Sequence, residues 1–264
     1  MIETSTNRPY IDEMSIFRLH PVSLRIFLAV FIAVAVVFLL APSSHSQNPT
    51  VLFREDFANL GNWRPLYFPK IPKHTTYTIE TNEGDSLLAA QSAGSASALV
   101  YKEHFNVYEY PRARWRWKIS NIYNNALPQK KSGDDYPIRV YVVFKYDPET
   151  AGVIDKVKYG VARKLYGEYP PHSTLNYVWA NDDGQKTIIT SPYTDKVRLI
   201  ALQKGGGKAG TWQDEEINIL KDYRAAFGAD PPPTASLAIM SDSDNTGQSA
   251  VSYLDFIEVF KDGQ

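Results

Sequence analysis

Four cations alternate with apolar residues along one stretch. Arg112, Arg114, Arg116 and Lys118 take the even positions, and Ala113, Trp115, Trp117 and Ile119 the odd ones. A period of two marks a strand with one face in the core. The cations then stand in a row on the other face, ~6.6–6.8 Å apart. Two kinds of chemistry fit such a row. Forked guanidinium donors can hold an acidic or hydroxyl-rich glycan. Alternatively, carboxylates on neighbouring strands and loops neutralise it in a structural ion-pair network. The stretch Ile138–Tyr146 alternates in the same way, with Arg139 and Tyr141 opposite Ile138, Val140, Val142 and Phe144. Taken as the neighbour of the cationic strand, it adds Arg139 and Tyr141 to the same face.

Two acidic loops come next. GDDYP at 133–137 sets Asp134 and Asp135 at the entrance of a strand, and MSDSDNTG at 240–247 sets Asp242, Asp244 and Asn245 in a turn. The expected place of these carboxylates is the rim of the cationic face. Closely spaced hard oxygens suit calcium, and Asp242, Asp244 and Asn245 are the expected ligands of a structural calcium ion. The bidentate glutamate that closes a full calcium loop is missing, however. Asp, Asn and Gly also serve tight turns for backbone reasons alone. Trp179 and Tyr177 in LNYVWA point the same way and can either stack on sugar rings or fill a core. The provisional ligand surface is therefore Arg114, Arg116, Lys118, Arg139, Tyr141, Asp134, Asp135 and Trp179.

Several reaction classes lose their support at once. The chain has no cysteine. His74, His104 and His172 are the histidines after residue 46, and none sits in a zinc-hydrolase spacing. There is no Gly-x-Ser-x-Gly elbow, and GGGKAG at 205–210 does not fit a phosphate-binding loop. Asp134, Asp135, Asp242, Asp244, Glu215 and Glu216 can supply a carboxylate pair for glycoside cleavage, but sequence gives no separation between them.

The elements that must position these residues are mostly strands. Val51–Phe57, Thr75–Glu80, Ser86–Ala90, Ser97–Tyr101, Pro111–Ser120, Ile138–Tyr146, Leu175–Ala180, Thr187–Thr190, Val197–Leu202, Ser236–Met240 and Ser252–Phe260 carry strand patterns. Helical spacing is confined to 150–166 and to Asn218–Phe227, the latter stopped by Gly228 and the prolines at 231–233. Many short strands and two helices predict a mainly β, antiparallel, jelly-roll-like sandwich occupying 47–264 as one domain. A closed barrel is the second architecture.

Residues 1–46 are of another kind. Ile26–Ala41 is an unbroken apolar run of 16 residues, preceded by Arg18 and Arg25 and followed by no Lys or Arg until Arg54. That asymmetry keeps the N-terminus in the cytoplasm and sends the rest across the membrane. A helix of this length rises ~24 Å, between a signal-peptide core and a full span of a ~30 Å hydrocarbon layer. Ser44 and Ser46 suit cleavage before Gln47. Both a cleaved signal and a retained inner-membrane anchor through 26–41 stay open. The location expected is the periplasm, or the far side of the inner membrane. Removing residues 1–46 takes away three basic and three acidic residues and leaves the net charge at −1. No global field attracts nucleic acid or anionic lipid.

Five blocks, RARWRW at 112–117, GDDYP at 133–137, LNYVWA at 175–180, AFGADPP at 226–232 and MSDSDNTG at 240–247, together resemble an uncharacterised bacterial family, domain of unknown function 3047. The likeness spans nearly the whole exported part. The resemblance implies no activity and therefore carries no catalytic residues. More distantly, FREDF…NW near the start and YLDFIEVF near the end resemble jelly-roll carbohydrate-binding modules, which implies a pairing of first and last strands. The expected function is a non-catalytic envelope protein that binds carbohydrate or another envelope polymer on its cationic face. A glycan hydrolase or lyase using loop carboxylates, and a structural or protein-interaction module, are the alternatives.

Overall fold

The computed structural model describes residues 48–82, 84–149 and 169–263. The apolar run at 26–41 and the helix expected over 150–166 both lie outside these residues. Among the described residues no helix is long and apolar enough to cross a membrane.

The strands, in chain order, are β1 (Thr50–Glu55), β2 (Trp63–Leu66), β3 (Thr76–Asn82), β4 (Asp85–Ala93), β5 (Ala96–Tyr101), β6 (Phe105–Asn106), β7 (Arg112–Ile119), β8 (Arg139–Phe144), β9 (Ser173–Ala180), β10 (Ile188–Thr190), β11 (Val197–Lys204), β12 (Gln213–Asn218), β13 (Thr234–Asp242) and β14 (Ser249–Lys261). Among the described residues one α-helix, α1 (Ile219–Phe227), interrupts them. It starts where Asn218 accepts a side-chain capping bond from Lys221 N at 3.0 Å. It ends at Gly228, whose φ of 70° is a left-handed conformation that glycine adopts without steric cost.

Two sheets form. The first runs β12-β7-β14-β4-β3, with β1 also paired to β14. The second runs β10-β11-β9-β8-β13-β5-β2, with β6 also paired to β13. Every pair is antiparallel except β9 with β11. There β10 takes the sheet edge and returns antiparallel into β11, which then slots in beside β9. The first and last strands pair as expected, with Arg54 opposite Glu258.

The sheets face one another across a single aromatic core. Trp115 and Trp117 of β7 meet Tyr177 and Trp179 of β9, at ring separations of 5.5 and 6.1 Å. Ile138 and the β8 residues Val140, Val142 and Phe144 are buried in the same cluster, as the alternation required. The assignment of β7 and β8 to one sheet is corrected here. β7 lies between β12 and β14, whereas β8 lies between β9 and β13. Alternation fixes which face of a strand is buried but not which sheet supplies it. The connection between these two strands is a long loop that crosses from one layer to the other rather than a hairpin.

Candidate functional site

The cationic row lies on the outer face of the first sheet. Directly opposite residues in antiparallel strands share a face, so the registers define rows across it. One row reads Glu216, Arg114, Glu258 and Arg54, with alternating sign across β12, β7, β14 and β1. The next sets Asp214 opposite Arg116 and Arg116 opposite Phe256. Arg112 pairs with Glu216, and reaches Asp262 at 3.3 Å. Arg114 contacts the buried carboxylate of Glu258 at 2.7 Å. Arg116 is held more loosely, 3.8 Å from Asp214 and 3.6 Å from Asp255. Lys118 makes no ion pair among the described residues. Much of the row is thus neutralised by its own neighbours, and neutralisation weakens from Arg112 towards Lys118.

Aromatic side chains carpet the same face. Arg54 lies 3.9 Å over Phe256 and Arg114 lies 5.0 Å over Phe260. Lys118 Nζ stands 4.6 Å from the centre of the Trp212 ring and 4.8 Å from that of Tyr253. Arg116 also approaches Trp212, at 5.6 Å.

Arg139 belongs elsewhere. It projects from the outer face of the second sheet, opposite Met240 and Val178, and is buried. Its guanidinium grips Asp242 with two nitrogens, the Nε contact at 2.7 Å. It also donates to the backbone carbonyl of Asp134 and faces that residue's carboxylate at 3.6 Å. The Tyr136 ring lies 4.5 Å from its centre. Burial opposes the charge on Arg139, and the carboxylates of Asp242 and Asp134 hold it protonated all the same. Burial pushes the Asp242 carboxyl up to about 7 against the pull of Arg139. Burial also raises Asp134 and Asp244.

The two acidic loops meet around this guanidinium. Asp135, Asp242 and Asp244 bring carboxylate oxygens within 4.8 Å of one another. Their lone pairs already have work. Asp135 accepts the backbone N–H groups of Asn245 at 3.1 Å and Thr246 at 2.6 Å, closing the 242–247 turn. Asp242 accepts Tyr136 N at 3.2 Å as well as Arg139. Asn245 donates to Asp244 at 3.0 Å. Arg139 thus supplies the positive charge that a cation would bring to Asp242.

The family can now be read from the chain. The profile described as "Protein of unknown function (DUF3047)" matches residues 61–258. The chain belongs to the DUF3047 family. No curated protein matches this DUF3047 chain. Its solved likenesses include a family 11 carbohydrate-binding module from Clostridium thermocellum in complex with a β-1,3-1,4-mixed-linked tetrasaccharide. The identity is 10%, the coverage 81% of this chain and 95% of that one, and the TM-score 0.40. A family 30 carbohydrate-binding module of a C. thermocellum cellulosomal cellulase gives 10%, 83%, 96% and 0.35. A Cel12A cellulase derived from that of Rhodothermus marinus gives 12%, 75%, 97% and 0.37.

Of the residues singled out in the DUF3047 sequence, Arg114, Arg116 and Lys118 share one face as expected. Arg139 and Tyr141 do not join them, because β8 is in the other sheet. Asp134, Asp135, Asp242 and Asp244 gather around Arg139 and do not rim the cationic row. Trp179 is fully buried and donates Nε1–H to Gly205 O at 3.0 Å, so its ring is core. β12 escaped detection because Asp and Glu are depleted in strands. Its signal was present: Asp214 and Glu216 sit two apart, as do the Arg116 and Arg114 they oppose. Trp212 and Tyr253 were missed because each shows its position beside Lys118 only once β12 and β14 flank β7.

Proposed function

We propose that the domain is a non-catalytic module that binds an envelope carbohydrate polymer outside the inner membrane, on the outer face of the first sheet near Arg116 and Lys118. The observation that carries this reading is the gradient along β7. Arg112 and Arg114 are engaged by carboxylates, Arg116 is loosely engaged, and Lys118 is left without an ion pair among the described residues. The charge of Lys118 is thereby left available beside two partly exposed aromatic rings. The Arg139 cluster gives a hydrolase less support, since Asp242 and Asp135 are engaged with Arg139 and with backbone. The location rests on the apolar run and its flanking arginines. A C-terminal reporter that works only in the cytoplasm would overturn the location.

The binding test is a glycan array followed by affinity electrophoresis with the wild type and Arg116→Ala. A charge-assisted contact contributes about 1.5–3 kcal/mol, so the variant is expected to bind at least about tenfold more weakly. Its melting temperature should change little, because exposed pairs contribute little. Equal binding by the two proteins would remove this surface from consideration. Release of reducing ends from a bound glycan would replace the binding role with a catalytic one.

A further inference from the structure

Lys118 stands between two rings. Tyr253 lies directly opposite it on β14, and Trp212 immediately precedes β12 on its other side. The rings meet edge to face, with centroids 6.4 Å apart and planes at 61°. Both are only partly buried. Beyond Tyr253 the row continues through Ala89 and Thr78, two short side chains. The result is a pair of partly exposed rings, edge to face, with the Lys118 ammonium close to both. The nearest cation, Arg116, leans on the same Trp212.

This arrangement differs from the rest of the face. Arg54 also lies over an aromatic ring, but it is answered by Asp56 at 2.7 Å and Glu258 at 3.4 Å. Lys118 has the rings and, among the described residues, no ion pair; the nearby carboxylate of Glu80 acts on Tyr253 rather than pairing with the ammonium. Ring faces attract the ammonium through their quadrupole but leave its charge available to a real anion. A lysine offers a compact point charge with freely rotating donors, suited to one carboxylate at the edge of a sugar. The C–H face of a pyranose is apolar and packs on an indole or phenol ring, while its substituents project from the edge. One ligand satisfies both the rings and the ammonium: a sugar whose flat face rests on an aromatic ring and whose edge carries a carboxylate.

We infer that Trp212, Lys118 and Tyr253 form a subsite for a uronate residue of an acidic polysaccharide. This rests on the glycan-binding reading above and narrows it to the acidic class. Lys118 would hold the carboxylate, Trp212 and Tyr253 the ring, and Arg116 a neighbouring acidic residue along the chain.

The probes are polygalacturonate, alginate and hyaluronate, each as free acid and as methyl ester, titrated against the full-length chain. The ester keeps the sugar rings and removes the charge. At least one free acid should bind, its ester at least about tenfold more weakly, and the free-acid affinity should fall as salt rises. Lys118→Gln keeps a stem between the rings but no charge, and should narrow the gap between acid and ester to the share that Arg116 supplies. Trp212→Ala should weaken acid and ester alike. Lys221→Gln, on the helix, should change neither. Circular dichroism verifies that each variant is folded. If Lys118→Gln does not fold, the acid-to-ester ratio and the salt dependence of the wild type decide. Equal binding of acid and ester overturns the uronate subsite and leaves glycan binding standing. Binding of neutral glycans on the array but of no uronate polymer does the same. No binding to any glycan overturns both.

Discussion

The two arginine sites in this protein use the same chemistry at opposite degrees of exposure. On the first sheet, Arg116 keeps 41% of its side-chain surface and its carboxylates stand 3.6 and 3.8 Å away. On the second, Arg139 keeps 4% and lies between Asp242 and Asp134. Water screens the first set, so each pair there contributes little and can exchange partners. The second set has left water behind, so its members depend on one another. The exposed pairs are free to rearrange, which is what the proposed binding face requires. The buried contacts join the 133–137 and 240–247 loops.

The largest expected effect comes from breaking the buried site. Arg139→Met leaves Asp242 and Asp134 without their cation. At about pH 8, where Asp242 is ionised, it should cost ~3–5 kcal/mol by urea denaturation. A cost under ~1 kcal/mol would place Arg139 among the exposed pairs and erase the contrast.

Titration separates the two regions next. Burial holds Asp242 up at about 7 in the folded protein, against an ordinary value of 3.8. Between those values the folded state keeps a proton that the unfolded chain has released. This carboxyl's contribution to stability is therefore full below 3.8 and is lost as pH rises to about 7. Asp242→Asn lacks the titration. The stability of the wild type minus that of the variant should fall across this window, and a difference that grows with pH would contradict the assignment.

Smaller still is the expected response to calcium. With Arg139 serving Asp242, adding calcium or a chelator should leave the melting temperature unchanged. A rise of several degrees with calcium would mean that Asp135, Asp242 and Asp244 hold an ion beside the guanidinium. The exposed ladder should respond only slightly. Glu216→Gln removes one partner of Arg112 and should cost less than ~1 kcal/mol.

Particular residues show how much could be read in advance. The alternation from Arg112 to Ile119 placed Trp115 and Trp117 in the core and the cations outside. The helical spacing over Asn218–Phe227, stopped by Gly228, matched α1 to within a residue, because spacing and a C-terminal glycine are properties of neighbours in sequence. The cationic face was legible, but the pairing of Asp214 and Glu216 with it was not, since β12 has a composition that strands disfavour; Glu258 and Asp255 lay on a strand that was read, and only its place beside β7 was hidden. Arg139 was read on the wrong sheet because its strand follows β7 in the chain.

Local pattern was enough to set which side of each strand is apolar, where the helix starts and stops, and that a sandwich is the economical way to bury so many half-apolar strands. These follow from local periodicity and capping, which act over a few residues. Only the tertiary structure decided which strands are neighbours. That choice sent Arg139 into a buried cluster, left Lys118 between Trp212 and Tyr253, and sealed Trp179 in the core. Pairing is settled by how two whole sheets close over one core, and that energy is shared among residues far apart in the chain.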